Sequence, residues 1–265
     1  MKSERHRVLR WQSRAKSVTA NDDLAAEEPL EIRIDNHPIS VTMRTPGNDD
    51  ELAVGFLISE GLLKRQGEAL QIVPHPRNKK NVINVFLAPN VKVNLKQLTR
   101  HVFASSSCGL CGKASIESVQ QQFPKIKNKI SVPATLLLEL PEKLRGSQET
   151  FDRTGGLHAA ALFDSDGKLL ALREDVGRHN AVDKILGWGF LQDNLPFEKN
   201  ILLVSGRASF EIMQKALAAR IPIVCAVSAP SSLAVEFARE SGQTLIGFLR
   251  EGRMNVYSHP KRLKF

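Results

Sequence analysis

The chain has 265 residues, 42% hydrophobic and 25% charged, enough to bury a core without disulfide or metal staples. No apolar run approaches the roughly 20 residues a membrane-spanning helix needs, which excludes a helical membrane protein and leaves no membrane partner. The net charge of +9 sits mostly at the ends: Lys2, Arg5, Arg7, Arg10, Arg14 and Lys16 against Glu4, and Lys261, Arg262 and Lys264, hold eight of the nine charges, so the nearly neutral body argues against a broad nucleic-acid face.

Residues 1–24 read as a basic disordered tail, without the apolar stretch and small-residue cleavage site of a secretory signal. Residues 25–102 read as a small α+β domain. Glu31–Ile34 and Ile39–Met43 alternate as two strands around a turn at 35–38, and the carboxylates of Asp49 and Asp50 are placed to cap a helix over 51–59 that stops near Gly61. Ile72–Val73 and Val82–Leu87 read as strands separated by a basic loop over 74–80.

From 103 to 265 the texture changes to longer helices and all-apolar strands, the pattern of a sheet covered on both faces. Helices are predicted over 113–123, 134–145 and 178–190, with a hairpin of 157–163 and 169–173 between the last two. Strands at 201–204, 223–227 and 244–248 then alternate with helices at 209–219 and 231–240, so these strands should run parallel.

The chemistry-bearing stretch is Ser105-Ser106-Ser107-Cys108-Gly109-Leu110-Cys111-Gly112, two thiols three positions apart among small residues ahead of a helical pattern. Four readings are open: a structural zinc site, a redox dithiol, unreactive loop cysteines, or a nucleophilic or sulfur-carrying thiol. Zinc lacks partner ligands, because the third cysteine, Cys225, lies inside an apolar strand pattern. The thiol reading has a physical basis, since N–H groups in a helix first turn stabilise a thiolate. Three free cysteines fit a reducing compartment and a cytoplasmic location.

Four other motifs surround this loop. Gly155-Gly-Leu-His158-Ala-Ala160 has the histidine of a zinc deaminase, but Ala160 stands where the proton-shuttling glutamate belongs and the cysteine pair precedes the histidine, so deaminase chemistry is excluded. Glu174-Asp-Val-Gly-Arg-His-Asn180, ahead of a helix, suits either a phosphate grip or a capping network. Ser205-Gly-Arg207-Ala-Ser209 and Ser228-Ala-Pro-Ser-Ser232 join strands to helices at the carboxyl edge of the predicted sheet, where anions are commonly held. Phe248-Leu249-Arg250-Glu251-Gly252-Arg253 offers a ring and two guanidinium groups for a base and a diphosphate, or else a strand edge with solvated arginines.

Together with Thr45-Pro-Gly-Asn-Asp-Asp-Glu-Leu-Ala-Val-Gly-Phe-Leu-Ile-Ser-Glu-Gly61, these motifs resemble the formate dehydrogenase accessory sulfurtransferase family from about residue 28 to the end. The resemblance implies an α/β fold, a cytidine-deaminase-like three-layer α/β/α domain beside a smaller N-terminal α+β domain, and a homodimer. It implies a sulfurtransferase that takes sulfur from a cysteine desulfurase as a persulfide. The sulfur would pass to the molybdenum bis-(molybdopterin guanine dinucleotide) cofactor before that cofactor enters formate dehydrogenase. Cys108 would carry the persulfide and Cys111 would assist its release or relay. Phe248, Leu249, Arg250, Glu251, Gly252 and Arg253, with Arg207, would contact the guanine dinucleotide ends, and no metal would bind directly. A chaperone that binds the cofactor or a guanine nucleotide without catalysis is the alternative.

Overall fold

The computed structural model describes residues 2–13, 17–91, 93, 123–128 and 130–265. Both cysteines of the Cys108–Cys111 loop, and the helix predicted over 113–123 apart from its last residue, lie outside the described residues.

Residues 1–24 differ from the expected tail. Strand β1 (Ser3–Arg10) pairs antiparallel with β2 (Val18–Ala25) over eight residues each. This ribbon has no apolar face, with Leu9, Trp11 and Val18 more than half exposed, so a search for hydrophobic alternation passes over it. Its charges close across the strands instead, Arg5 on Asp23 and Arg10 on Asp22.

Strands β3 (Glu28–Ile34), β4 (His37–Arg44), β5 (Ala69–His75) and β6 (Asn78–Leu87) form a four-stranded sheet in the order β4-β3-β6-β5. The loop expected over 74–80 is mostly strand, β5 and β6 meeting at a turn through Pro76 and Arg77. Helix α1 (Asp49–Ser59) begins at Asn48 in left-handed backbone with no side-chain cap. Neither Asp49 nor Asp50 caps it: Asp49 takes two hydrogen bonds from the buried Arg44, and Glu51, also in the first turn, pairs with Arg173.

The short β7 (Val132–Pro133) stands apart from the larger sheet, which is built from β8 (His158–Phe163), β9 (Leu169–Asp175), β10 (Ile201–Val204), β11 (Ile223–Ala226), β12 (Thr244–Arg250) and β13 (Arg253–Ser258). Their order is β13-β12-β11-β10-β8-β9, and β7 pairs outside it with β14 (Leu263–Lys264). Strands β10, β11 and β12 run parallel as the alternating pattern predicts, and β8 runs antiparallel to β10. On one face lies α2 (Ala134–Arg145), whose Leu137, Leu140 and Leu144 pack with Ile201, Leu203, Cys225 and Ile246. The six-residue α3 (Glu149–Thr154) connects α2 to β8. On the other face lie α4 (Arg178–Leu191), α5 (Phe210–Ala218) and α6 (Ser232–Ser241), completing the three-layer α/β/α arrangement.

The small sheet is joined to this body through α1, which lies on α4 in one continuous core. The crossing is close because both helices carry glycine at the contact. A methyl group on Gly55 would lie 1.7 Å from the carbonyl oxygen of Asp183, and one on Gly187 would lie 1.8 Å from that of Glu51. Beside the crossing, Lys215 reaches across to Asp183 at 2.7 Å and to Ser59 at 2.9 Å.

A cationic cleft as the candidate functional site

The carboxyl ends of β10 and β11 open onto a cleft of about 810 Å³. Its floor is the turn Ser205-Gly206-Arg207, the turn Val227-Ser228, and His158 at the start of the antiparallel β8, which returns to the same edge. Its far wall comes from the end of α2 with Pro141, Leu144 and Arg145, then Gln148 and Phe151, then Gly155–Leu157. Among the described residues the lining holds Arg145, Arg178, Arg207 and His158 and no carboxylate, a balance that favours an anion.

The Glu174–Asn180 motif divides between its two readings. Glu174 accepts hydrogen bonds from the backbone N–H groups of Thr150 and Phe151, closing the start of α3. Asp175, fully buried, lies 2.7 Å from the ammonium of Lys184 and accepts from the N–H groups of Thr45 and Gly177 and from the Asn180 amide. The Lys184 ammonium also donates to the carbonyl of Thr45 at 2.9 Å. These residues are a capping and locking network, and it leaves Arg178 to face the cleft.

The strand-to-helix turns divide in the same way. Ser205 is engaged, its hydroxyl accepting from the N–H of Ala159 at 2.9 Å. Ser231 caps α6 through the N–H of Ala234. Ser209 bonds His179 and Glu211, themselves 2.9 Å apart. Arg207 is exposed on the rim. Gly206 makes room for the His158 ring, since a methyl group there would lie 3.2 Å from Nδ1. Burial, then the Arg178 guanidinium and His179, with Arg207 adding to them, hold the His158 imidazole below its ordinary pKa, and Asp175 opposes them. The ring is therefore neutral at pH 7 and ready to exchange a hydrogen bond with a ligand.

Phe248–Arg253 lies on the same edge of the sheet. The N–H of Phe248 donates to the carbonyl of Ser228, a residue of the cleft floor. Strand β12 ends at Arg250, β13 begins at Arg253, and Glu251 and Gly252 between them both have positive φ, the two-residue turn that matches strand twist. Arg250 and Arg253 are cross-strand partners, which puts both guanidinium groups on one face of the hairpin end. Arg253 also pairs with Glu251 at 3.0 Å, both exposed. The Leu249 side chain is fully buried against the α2 layer, so only its backbone is available to a ligand.

Cys225 is buried inside β11, and burial pushes its thiol far above the ordinary range. It is unsuited to nucleophilic or metal chemistry. Among the described residues no group of three or more His, Cys, Asp or Glu side chains is gathered as metal ligands would be. None of the described helices is long and apolar enough to cross a membrane. Sequence reasoning missed Arg145, Gln148 and Phe151, which carry no motif and reach the cleft only because α2 packs across the sheet.

Residues 25–264 match the FdhD/NarQ family. The chain belongs to that family. A relative from Streptomyces coelicolor, "Sulfur carrier protein FdhD", is 52% identical over 98% of this chain and 95% of its own length. The protein of the same name from Mycobacterium tuberculosis is 49% identical over 97% of this chain and 98% of its own. That from Sulfurisphaera tokodaii is 42% identical over 99% and 100%. Among solved structures, a putative formate dehydrogenase accessory protein from Desulfotalea psychrophila superposes with a TM-score of 0.79 over the whole of both chains at 24% identity, a likeness of fold. The family match begins at residue 25, so the β1–β2 ribbon apart from Ala25 lies outside it.

Proposed function

We propose that this chain is a sulfur carrier in the maturation of formate dehydrogenase, holding the molybdenum cofactor while sulfur is delivered to it. The observation that carries the reading is the carboxylate-free cationic cleft at the strand edge, in a chain whose FdhD/NarQ relatives are named sulfur carriers. A molybdenum bis-(molybdopterin guanine dinucleotide) substrate is a large polyanion with planar heterocycles. The cleft supplies guanidinium groups for the diphosphates, and Leu144 and Phe151 supply apolar wall for the rings. Phe248–Arg253 and Arg207 stand at its edge to extend that contact toward the guanine ends.

Sulfur would arrive from a cysteine desulfurase. The Cys108 thiolate attacks the outer sulfur of the desulfurase persulfide, forming a Cys108 persulfide and releasing the desulfurase thiolate. The Cys111 thiolate then attacks the inner sulfur, forming a Cys108–Cys111 disulfide and expelling the outer sulfur as hydrosulfide for the metal. A thiol reductant restores the pair. The resemblance that assigns these roles also supports a homodimer working in the cytoplasm.

The test is mass spectrometry of the full chain after incubation with a desulfurase and cysteine. One added sulfur atom is expected on the wild type and none on Cys108→Ala. An undiminished adduct in Cys108→Ala removes Cys108 from the role. Active formate dehydrogenase matured by Cys108→Ala would instead favour a cofactor-binding chaperone without transfer.

A further inference from the structure

Two residues of the cleft lining each carry a buried hydrogen-bond donor with no acceptor among the described residues. Gln148 is 3% exposed and its Nε2 is buried without a partner, and the Nε of Arg178 is likewise buried and unpartnered. Leaving a buried donor unsatisfied costs about 1–3 kcal/mol, and more for a charged group. A lining with no carboxylate offers them no relief from within.

Both donors are set by well-bonded backbone. Arg178 starts α4 directly after the segment locked by Asp175, which accepts from the N–H of Gly177 at 2.8 Å. Gln148 precedes α3 and its own N–H is bonded to the carbonyl of Arg145. The free N–H groups of Thr150 and Phe151 are already taken by Glu174, so the short helix is not the binding element. What remains is a pair of side-chain donors, one amide and one guanidinium, waiting for an acceptor brought by the ligand.

We propose that Gln148 and Arg178 form a phosphoryl subsite in the wall of the cleft, which takes the diphosphate of a nucleotide-type ligand. The proposal rests on the cleft being the cofactor-binding site and deepens it by naming the group bound and the residues that bind it. A phosphoryl oxygen accepts from an amide and a guanidinium at once. The remaining guanidinium groups of Arg145 and Arg207 fit a ligand with more than one negative charge better than a lone carboxylate. Arg145 lies over the Phe151 ring at 4.6 Å and is held to Asp152 at 2.9 Å, a platform for the heterocycle attached to such a diphosphate. On this assignment Phe248–Arg253 is the outer contact of the ligand, and its anion is held chiefly at Gln148 and Arg178.

Calorimetric titration of the full chain with guanosine diphosphate, guanosine and inorganic pyrophosphate tests this. For Gln148→Leu and Arg178→Gln, affinity for guanosine diphosphate and pyrophosphate should fall roughly 10- to 100-fold, the scale of a hydrogen bond to a charged group. Affinity for guanosine should change less than about twofold. Gln148→Glu, which sets a charge against the phosphate, should lose more than Gln148→Leu. Melting of Gln148→Leu should match or exceed wild type, since the variant removes an unsatisfied donor, and this shows that any loss of binding is not loss of fold. Unchanged affinity for the diphosphate in Gln148→Leu and Arg178→Gln overturns the subsite, as does equal loss for guanosine and its diphosphate. Sulfur loading of the wild-type chain is read separately by mass. Its failure would sink the sulfur-carrier reading and leave the comparison of diphosphate with nucleoside intact.

Discussion

Replacing Lys184 with methionine keeps most of the length of the side chain and removes its charge. In the native protein the ammonium lies 2.7 Å from Asp175 and donates to the carbonyl of Thr45, with side chains 1% and 0% exposed for the pair. Breaking a buried pair from one side costs about 3–5 kcal/mol, because the remaining charge stays out of water. Asp175 would keep three donors, from Thr45, Gly177 and Asn180, which places the expected loss at the lower end, about 3 kcal/mol. For a chain of this size that lowers Tm by roughly 6–12 °C. Urea denaturation and thermal melting of the purified variant give the number. Lys184→Met combined with Asp175→Asn should recover part of it, because neither buried charge then remains. A Lys184→Met variant within about 0.5 kcal/mol of wild type, or a double variant worse than both singles together, would refute the pairing as a desolvated unit.

Gly187→Ala should destabilise by at least about 2 kcal/mol by denaturant titration, since the added methyl meets backbone that cannot rotate away and the overlap outweighs the roughly 1 kcal/mol of helix propensity gained. The lowered pKa of His158 means the unfolded chain takes up that proton first, so this residue's contribution to stability is present above about pH 6.5 and is lost as pH falls through the lower folded value. Melting at pH 7.5 and 5.5 should therefore differ less in His158→Gln than in wild type. A bound polyanion should reverse the shift, seen as proton uptake on binding guanosine diphosphate near pH 6 that His158→Gln abolishes. Arg250→Ala and Arg253→Ala should each weaken that nucleotide by no more than about 1 kcal/mol in titration, because both guanidinium groups are exposed and screened by solvent. Iodoacetamide should leave Cys225 unlabelled in the native protein and label it only after denaturation, as peptide mapping would show.

Much of the architecture was legible because burial on both faces leaves unmistakable strands. Ile201–Val204 and its parallel neighbours, with their helices, fall within a few residues of the predicted bounds. The β1–β2 ribbon was not legible, since it buries little and is paired through polar contacts. Strand β13 was hidden because it opens on an exposed arginine and alternates exposed with partly buried residues over its first four positions, which leaves no apolar run. The site was half legible. Arg207 and Arg178 stand in recognisable strand-to-helix and loop-to-helix motifs, whereas Gln148 has no sequence signal apart from preceding a short helix. Its importance comes from burial without a partner, which only packing reveals. Composition pointed at the charged termini, while the charges lining the cleft are single arginines drawn together from distant stretches.

The crossing of α1 and α4 has a mechanical consequence. Where Gly55 and Gly187 let backbone rest on backbone, the two helices have no room to slide without a clash, and the Lys215 contacts tie the same junction to a third helix. The small sheet is therefore seated on the larger body through a junction that resists hinging. A ligand of the cleft would then pass over its rim, by Gly156 and the ribbon whose Ala25 lies against it, and not between two halves that part.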